Sequence, residues 1–198
     1  MLDHVFIDAI GALKDSLEDA RLERLPTEER YKTDILLGDQ TFETSYALPG
    51  EHHPAAMQAD VILEWPTWSQ TAYRSWYIGE TPTETPRIEV QIGVTAQFLV
   101  SAPDPSLVLD FAPVTSPPVG TIELDRSGPT VTYTYENDQR TSHAIVVAYE
   151  GSYDLNDDVL ADANLLDRHF TDIGFWTTSL LVKVGDLKLE HLPDDQRP

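Results

Sequence analysis

Between Arg87 and Val100 the chain reads with a period of two. Ile88, Val90, Ile92, Val94, Ala96, Phe98 and Val100 share one parity, and Glu89, Gln91, Gly93, Thr95 and Gln97 share the other. Alternation of this length predicts a half-buried strand, because helical winding would scatter the apolar set around the axis. At roughly 3.4 Å per residue the strand would reach about 45 Å. It is therefore expected to bend, to carry a bulge near Gly93, or to project as an arm.

Before this strand, residues 2–25 read as an amphipathic helix (segment 1–25). Leu2, Phe6, Ile10, Leu13 and Leu17 form a narrow stripe, Asp3 favours the N-terminus, Arg21 and Arg24 the C-terminus, and Pro26 is the expected stop. Such a stripe needs one surface to lie on, either the chain's own sheet or a neighbouring subunit. Phe6, Ile10, Leu13 and Leu17 are thus candidate subunit contacts. Residues 33–37 and 41–48 predict a hairpin around Gly38-Asp39-Gln40. Residues 59–65 and 68–78 predict two strands split by Pro66, a bend or an edge.

After Val100 the proline-rich stretch 101–120 predicts a long irregular segment, of the kind that is functional or wraps a surface. Strands are expected at 121–125, 130–136 and 143–149. The last is apolar on both faces through Ala144, Ile145, Val146, Val147 and Ala148, and is the candidate for the deepest strand. The period then becomes helical over 156–184, with Asn156 as cap, a restart at Thr171-Asp172 and Gly185 as stop. The β-branched run 177–184 leaves a strand open there, and 187–192 predicts a final strand. The whole reads as one domain, 1–198, with a β-rich core over 31–150. The expected fold class is mainly β (α+β): an antiparallel sandwich or barrel-like sheet with an N-terminal helix and a C-terminal helical segment.

Charge narrows the partners. Asp and Glu number 34 against 13 Lys and Arg, a formal net charge of −21. Only four residues are lysines: Lys14, Lys32, Lys183 and Lys188. Self-repulsion on this scale falls away in molar salt, where the screening length is about 3 Å, so the composition suits a salt-rich cytoplasm. An ordinary acidic protein is the plainer reading. Nucleic acid is not an expected partner, since a polyanion meets an acidic surface with no basic, aromatic-interleaved patch. No apolar run approaches a membrane span, and Asp3 and Asp8 stand where a signal peptide has basic residues. The chain is expected to reside in the cytoplasm during synthesis. It has no cysteine, which removes disulfides, thiol catalysis and cysteine-based zinc sites.

Candidate chemistry is sparse. Trp65, Trp68, Tyr73 and Trp76 could stack a ligand or form an interface, although large rings at such density are more often the outer layer of a core. Arg74 is expected to serve a cation–π contact or an ion pair. Asp154, Asn156 and Asp158 have the spacing that opens a calcium loop, but Val159 and Leu165 replace its glycine and glutamate. His4, His52, His53, His143, His169 and His191 show no metal-ligand spacing, and no nucleophile elbow or phosphate loop occurs. No catalytic residue, metal site or cofactor is assigned, and the chain is expected not to be an enzyme.

Three function classes remain: an assembly subunit, a module binding a small molecule or glycan through Trp65, Trp68 and Trp76, and an enzyme with a dispersed site. The terminal helix, the overlong strand and the proline-rich segment each ask for a partner surface, which favours the first. The expected partners are further copies of the chain or other subunits of an assembly. A helix followed by a β-rich body with extended arms is similar in outline to neck and tail-completion proteins of tailed viruses. That likeness is one of architecture without a shared motif. It implies a virion component, and the acidic composition adds the expectation of a halophile.

Overall fold

The computed structural model describes residues 4–25, 29–34, 36–136, 139–162 and 164–197. The chain is α+β. Its strands are β1 (Glu23–Arg24), β2 (Arg30–Thr33), β3 (Gln40–Ala47), β4 (Met57–Trp65), β5 (Arg87–Leu99), β6 (Asp125–Arg126), β7 (Thr130–Glu136) and β8 (Gln139–Asp154). The helices are α1 (His4–Asp19), α2 (Thr67–Tyr77), α3 (Ser106–Leu109), α4 (Asp157–Ala161) and α5 (Asn164–Gly185). All strands join one antiparallel eight-stranded sheet in the order β1-β3-β4-β5-β8-β6. β2 shares the edge of β3 with β1, and β7 shares the edge of β8 with β6.

Strand β5 is the spine. Ile88, Val90, Ile92, Val94 and Ala96 are buried on the face that carries the helices. No bulge forms at Gly93, which pairs regularly with Asp60 on β4 and Ala148 on β8. The irregularity lies instead between Ala96 and Leu99, where Phe98 takes a φ of 59°. The alternation resumes out of phase: Leu99 is buried and Val100 exposed. β5 rather than 143–149 is also the deepest strand, since Ala144, Val146 and Ala148 of β8 are half-buried on the far face.

The second layer is helical. Phe6 of α1 stacks on Trp65 of β4 at 5.5 Å, and Trp176 of α5 meets Tyr149 of β8 edge-on at 4.6 Å. The two helices run locally parallel, because Ser16 bonds Thr171 and Gly174 while Ala20, one turn on, bonds Thr178. The expected end of α1 at Pro26 is corrected. The helix closes at Asp19 with Arg21 in the left-handed region, φ 64°, and Leu22 N–H returning 3.3 Å to the Leu17 carbonyl. That is a Schellman closure without the usual glycine.

Residues 68–78 are not a strand but helix α2, with Pro66 at its N-cap. The turn between β2 and β3 supplies the missing acceptors: Asp39 Oδ1 accepts from Thr67 N–H at 2.6 Å, and Gly38 O accepts from Gln70 Nε2 at 2.9 Å. Gly79, φ 83°, ends the helix, with Glu80 N–H on the Ser75 carbonyl at 2.9 Å. In the C-terminal third Asn156 caps α4 as expected, its Oδ1 accepting from Val159 N–H at 3.1 Å. α5 then runs unbroken through Thr171-Asp172 and through 177–184 to Gly185. Residues 187–192 form a single bridge, Leu99 to His191, rather than a strand.

Candidate functional site

The aromatic cluster divides between core and surface because α2 is a helix. Trp65 and Tyr73 are fully buried. The Trp65 indole N–H donates to Ser69 Oγ at 3.1 Å, and Ser69 Oγ in turn bridges to the Arg87 carbonyl at 2.6 Å, so this part of the cluster clamps α2 onto the end of β5. Trp76 is half-buried, stacked on Tyr73 and donating to Asp157 Oδ1 at 2.8 Å. Trp68 alone of these four rings is exposed, with the Arg87 guanidinium 4.8 Å from its centre. A groove of about 430 Å³ runs beside it, between Thr71, Ala72 and Ser75 of α2 and Pro82 and Thr83. Arg74 is an exposed residue donating to Gln70 Oε1 at 3.3 Å.

The α1 stripe is consumed by the chain's own core. Phe6, Ile10, Leu13 and Leu17 are all buried against the sheet and α5. As the helix stands, those four side chains are not presented to a neighbour; Ile7, 54 % exposed, is the large apolar residue on its outer side.

On the helix-free face of the sheet, Asp60 is a residue that the sequence reading did not single out. Its Oδ1 accepts from Ser45 Oγ at 2.6 Å and Gln58 Nε2 at 2.9 Å, and its Oδ2 accepts from Thr95 Oγ1 at 3.1 Å. Three strands are thereby tied through one half-buried carboxylate, beside an open groove of about 370 Å³. The signal for it was present in the alternation of β4, which turns Gln58 and Asp60 away from the face of Ala59 and Val61. Three donors from three strands converge on this carboxylate, which makes it a structural knot of the sheet.

Elsewhere Lys14, Glu29, Arg24 and Glu18 form one linked surface ion-pair network. The Tyr46, Tyr149 and Tyr153 hydroxyls are each pushed up to about 12, chiefly by burial. Tyr149 donates to the Pro113 carbonyl at 2.9 Å, anchoring the proline-rich segment to β8. Tyr153 bonds His169 Nδ1 at 2.6 Å, and burial, with the Arg168 charge beside it, holds that imidazole below its ordinary value. His143 and His191 bond the carbonyls of Leu99 and Gln97. Of the calcium-like set Asp154, Asn156 and Asp158, Asn156 is engaged as the cap of α4, and the intervening Asp157 accepts from Trp76. Among the described residues no three acidic or histidine side chains gather to hold a metal, and no helix is long and apolar enough to cross a membrane.

The two lateral edges of the sheet differ. β2, with Arg30 and Lys32, is short and charged, and Lys32 is paired to Glu43 at 2.6 Å. Charged, short edges resist further pairing. β7 reads Thr-Val-Thr-Tyr-Thr-Tyr-Glu and contains neither Lys nor Pro. It pairs with β8 on one side, and no strand among the described residues lies on its other side. Tyr133 and Tyr135 are 43 % and 59 % exposed. This edge is the best-formed candidate interaction site on the molecule. Comparison with protein-family models, with characterised proteins and with solved structures finds no match for the chain.

Proposed function

We propose that this protein is a non-enzymatic structural subunit of a larger assembly, adapted to high salt, of the kind that virions use as neck or tail-completion components. The observation that carries the reading is the edge of β7, on whose outer side no strand among the described residues lies: Thr130 to Tyr135 are six residues of high β-propensity without a charge or proline, and the one charge, Glu136, stands at the strand's end. An exposed edge of this type is a template for another strand, and a chain that remained alone would carry it as an aggregation hazard. The net charge of −21 supports the salt adaptation, because copies of such a chain approach one another only when their charges are screened. The virion setting rests on architecture alone.

Sedimentation of the purified chain at about 2 M and about 0.1 M potassium chloride tests the reading. A discrete particle larger than the 22.2 kDa chain is expected at high salt, and a compact monomer at every salt and concentration would contradict it. The groove beside Trp68 favours a second reading, a module that binds a small apolar molecule or glycan. Quenching of tryptophan fluorescence by a ligand in a persistently monomeric chain would bring that reading forward.

A further inference from the structure

We infer that two copies of this chain pair through β7 in antiparallel, two-fold register centred on Tyr133, joining their sheets into one. The inference rests on the assembly reading and names its first contact.

Three observations lead to a second copy as the occupant. The edge needs a strand, since what it leaves open is backbone rather than a pocket. Residues 126–135 contain no Asp or Glu and one Arg, so two copies of a chain of charge −21 can meet here without setting acid against acid. The same meeting at β2, centred on Tyr31, would set Arg30 opposite the partner's Lys32, cation against cation. The sequence is also self-complementary. With Tyr133 on the two-fold, Val131 lies opposite the partner's Tyr135 on one face, and Thr132 opposite the partner's Thr134 on the other. Aromatic with β-branched, and threonine with threonine, are the cross-strand pairs that stabilise antiparallel ladders. β7 can hold this register because the irregularity near its end belongs to β8: Thr134 pairs with Ser142 and Tyr135 with Arg140, so the extra residue is on the other strand. A two-fold contact of this kind is isologous and closes on itself.

The absence of cysteine from the chain gives a clean test. Directly opposed residues in an antiparallel pair have Cα atoms about 4.5–5.5 Å apart, within the disulfide range. Tyr133→Cys should therefore cross-link to itself on mild oxidation. Thr132→Cys should cross-link poorly alone but well when mixed with Thr134→Cys. Tyr133→Lys places like charges opposite each other and removes the ring. It should weaken association about tenfold or more at the lowest salt in which the wild-type chain associates. Circular dichroism checks that each variant folds, which is expected since Tyr133 is 43 % exposed. Association that survives Tyr133→Lys, with no cross-link at 133, would overturn the β7 register and leave the assembly reading standing. A wild-type chain that stays monomeric at all concentrations would overturn both.

Discussion

Gly174 on α5 lies so close to Ser16 on α1 that a Cβ placed on it would stand 1.9 Å from the Ser16 carbonyl oxygen. The contact is backbone against backbone, and Ser16 Oγ completes it by accepting from Gly174 N–H at 3.0 Å and donating to the Thr171 carbonyl at 3.1 Å. The close approach of α1 and α5 at this point is therefore permitted by a missing side chain. Gly174→Ala cannot be relieved by a rotamer change and must push the helices apart. It is expected to destabilise by about 3 kcal/mol or more, read as a lower denaturant midpoint, despite alanine's better helix propensity. Ser16→Ala, which removes only the hydroxyl bonds, should cost about 1 kcal/mol.

Arg21 closes α1 in a left-handed conformation, φ 64°, that L residues adopt at a penalty of about 1–2 kcal/mol. Arg21→Gly should raise stability by about 1 kcal/mol in urea unfolding, with no change in secondary structure by circular dichroism.

The two faces of β5 should respond differently to charge. Val94 is buried under the helices, so Val94→Asp strands a carboxylate without donors and should cost several kcal/mol at any salt concentration. Thr95 is also buried but contacts Asp60 Oδ2 at 3.1 Å, so Thr95→Asp sets one carboxylate against another. Its cost should fall by about half or more between about 0.1 M and about 2 M potassium chloride, while that of Val94→Asp should not. Equal salt dependence in thermal melts would show that the Asp60 knot is misassigned.

His169 gives the fold an acid-sensitive seam between β8 and α5. Its imidazole is held below the ordinary 6.5 by burial and by Arg168. The unfolded chain thus takes up a proton before the folded one does. The stability His169 contributes is present above about pH 6.5 and is lost as the pH falls through its lower folded value. Melting temperatures taken between about pH 7 and about pH 5 should fall less steeply in His169→Gln than in the wild type.

The alternation of residues 87–100 made β5, its buried face and the antiparallel α+β sheet legible, because period two over that length has no competing interpretation. The errors share a physical cause, tertiary partners that sequence order does not display. Residues 68–78 carry tryptophan and tyrosine in β-like density, yet their N-terminus is capped by Asp39, 28 residues upstream, and the helix wins. α1 ends without glycine or proline at its boundary. The bulge sits at Phe98, where Leu192 N–H returns to the Phe98 carbonyl at 2.7 Å, rather than at the glycine that could have formed one. The α1 stripe was readable as a face but not as belonging to α5. Of the candidate sites, the tryptophan cluster was visible as a cluster, whereas its division into core and surface depended on the helix. The edge status of β7 could not be read at all, since only strand order shows that no strand among the described residues lies beyond it.

The most direct test of the account is backbone amide hydrogen exchange along β7 in molar salt, measured at two protein concentrations about a hundredfold apart. Pairing between copies predicts that alternate amides over residues 130–135 slow markedly at the higher concentration, while those of β2 do not change. Exchange along β7 that is fast and the same at both concentrations would contradict the central claim.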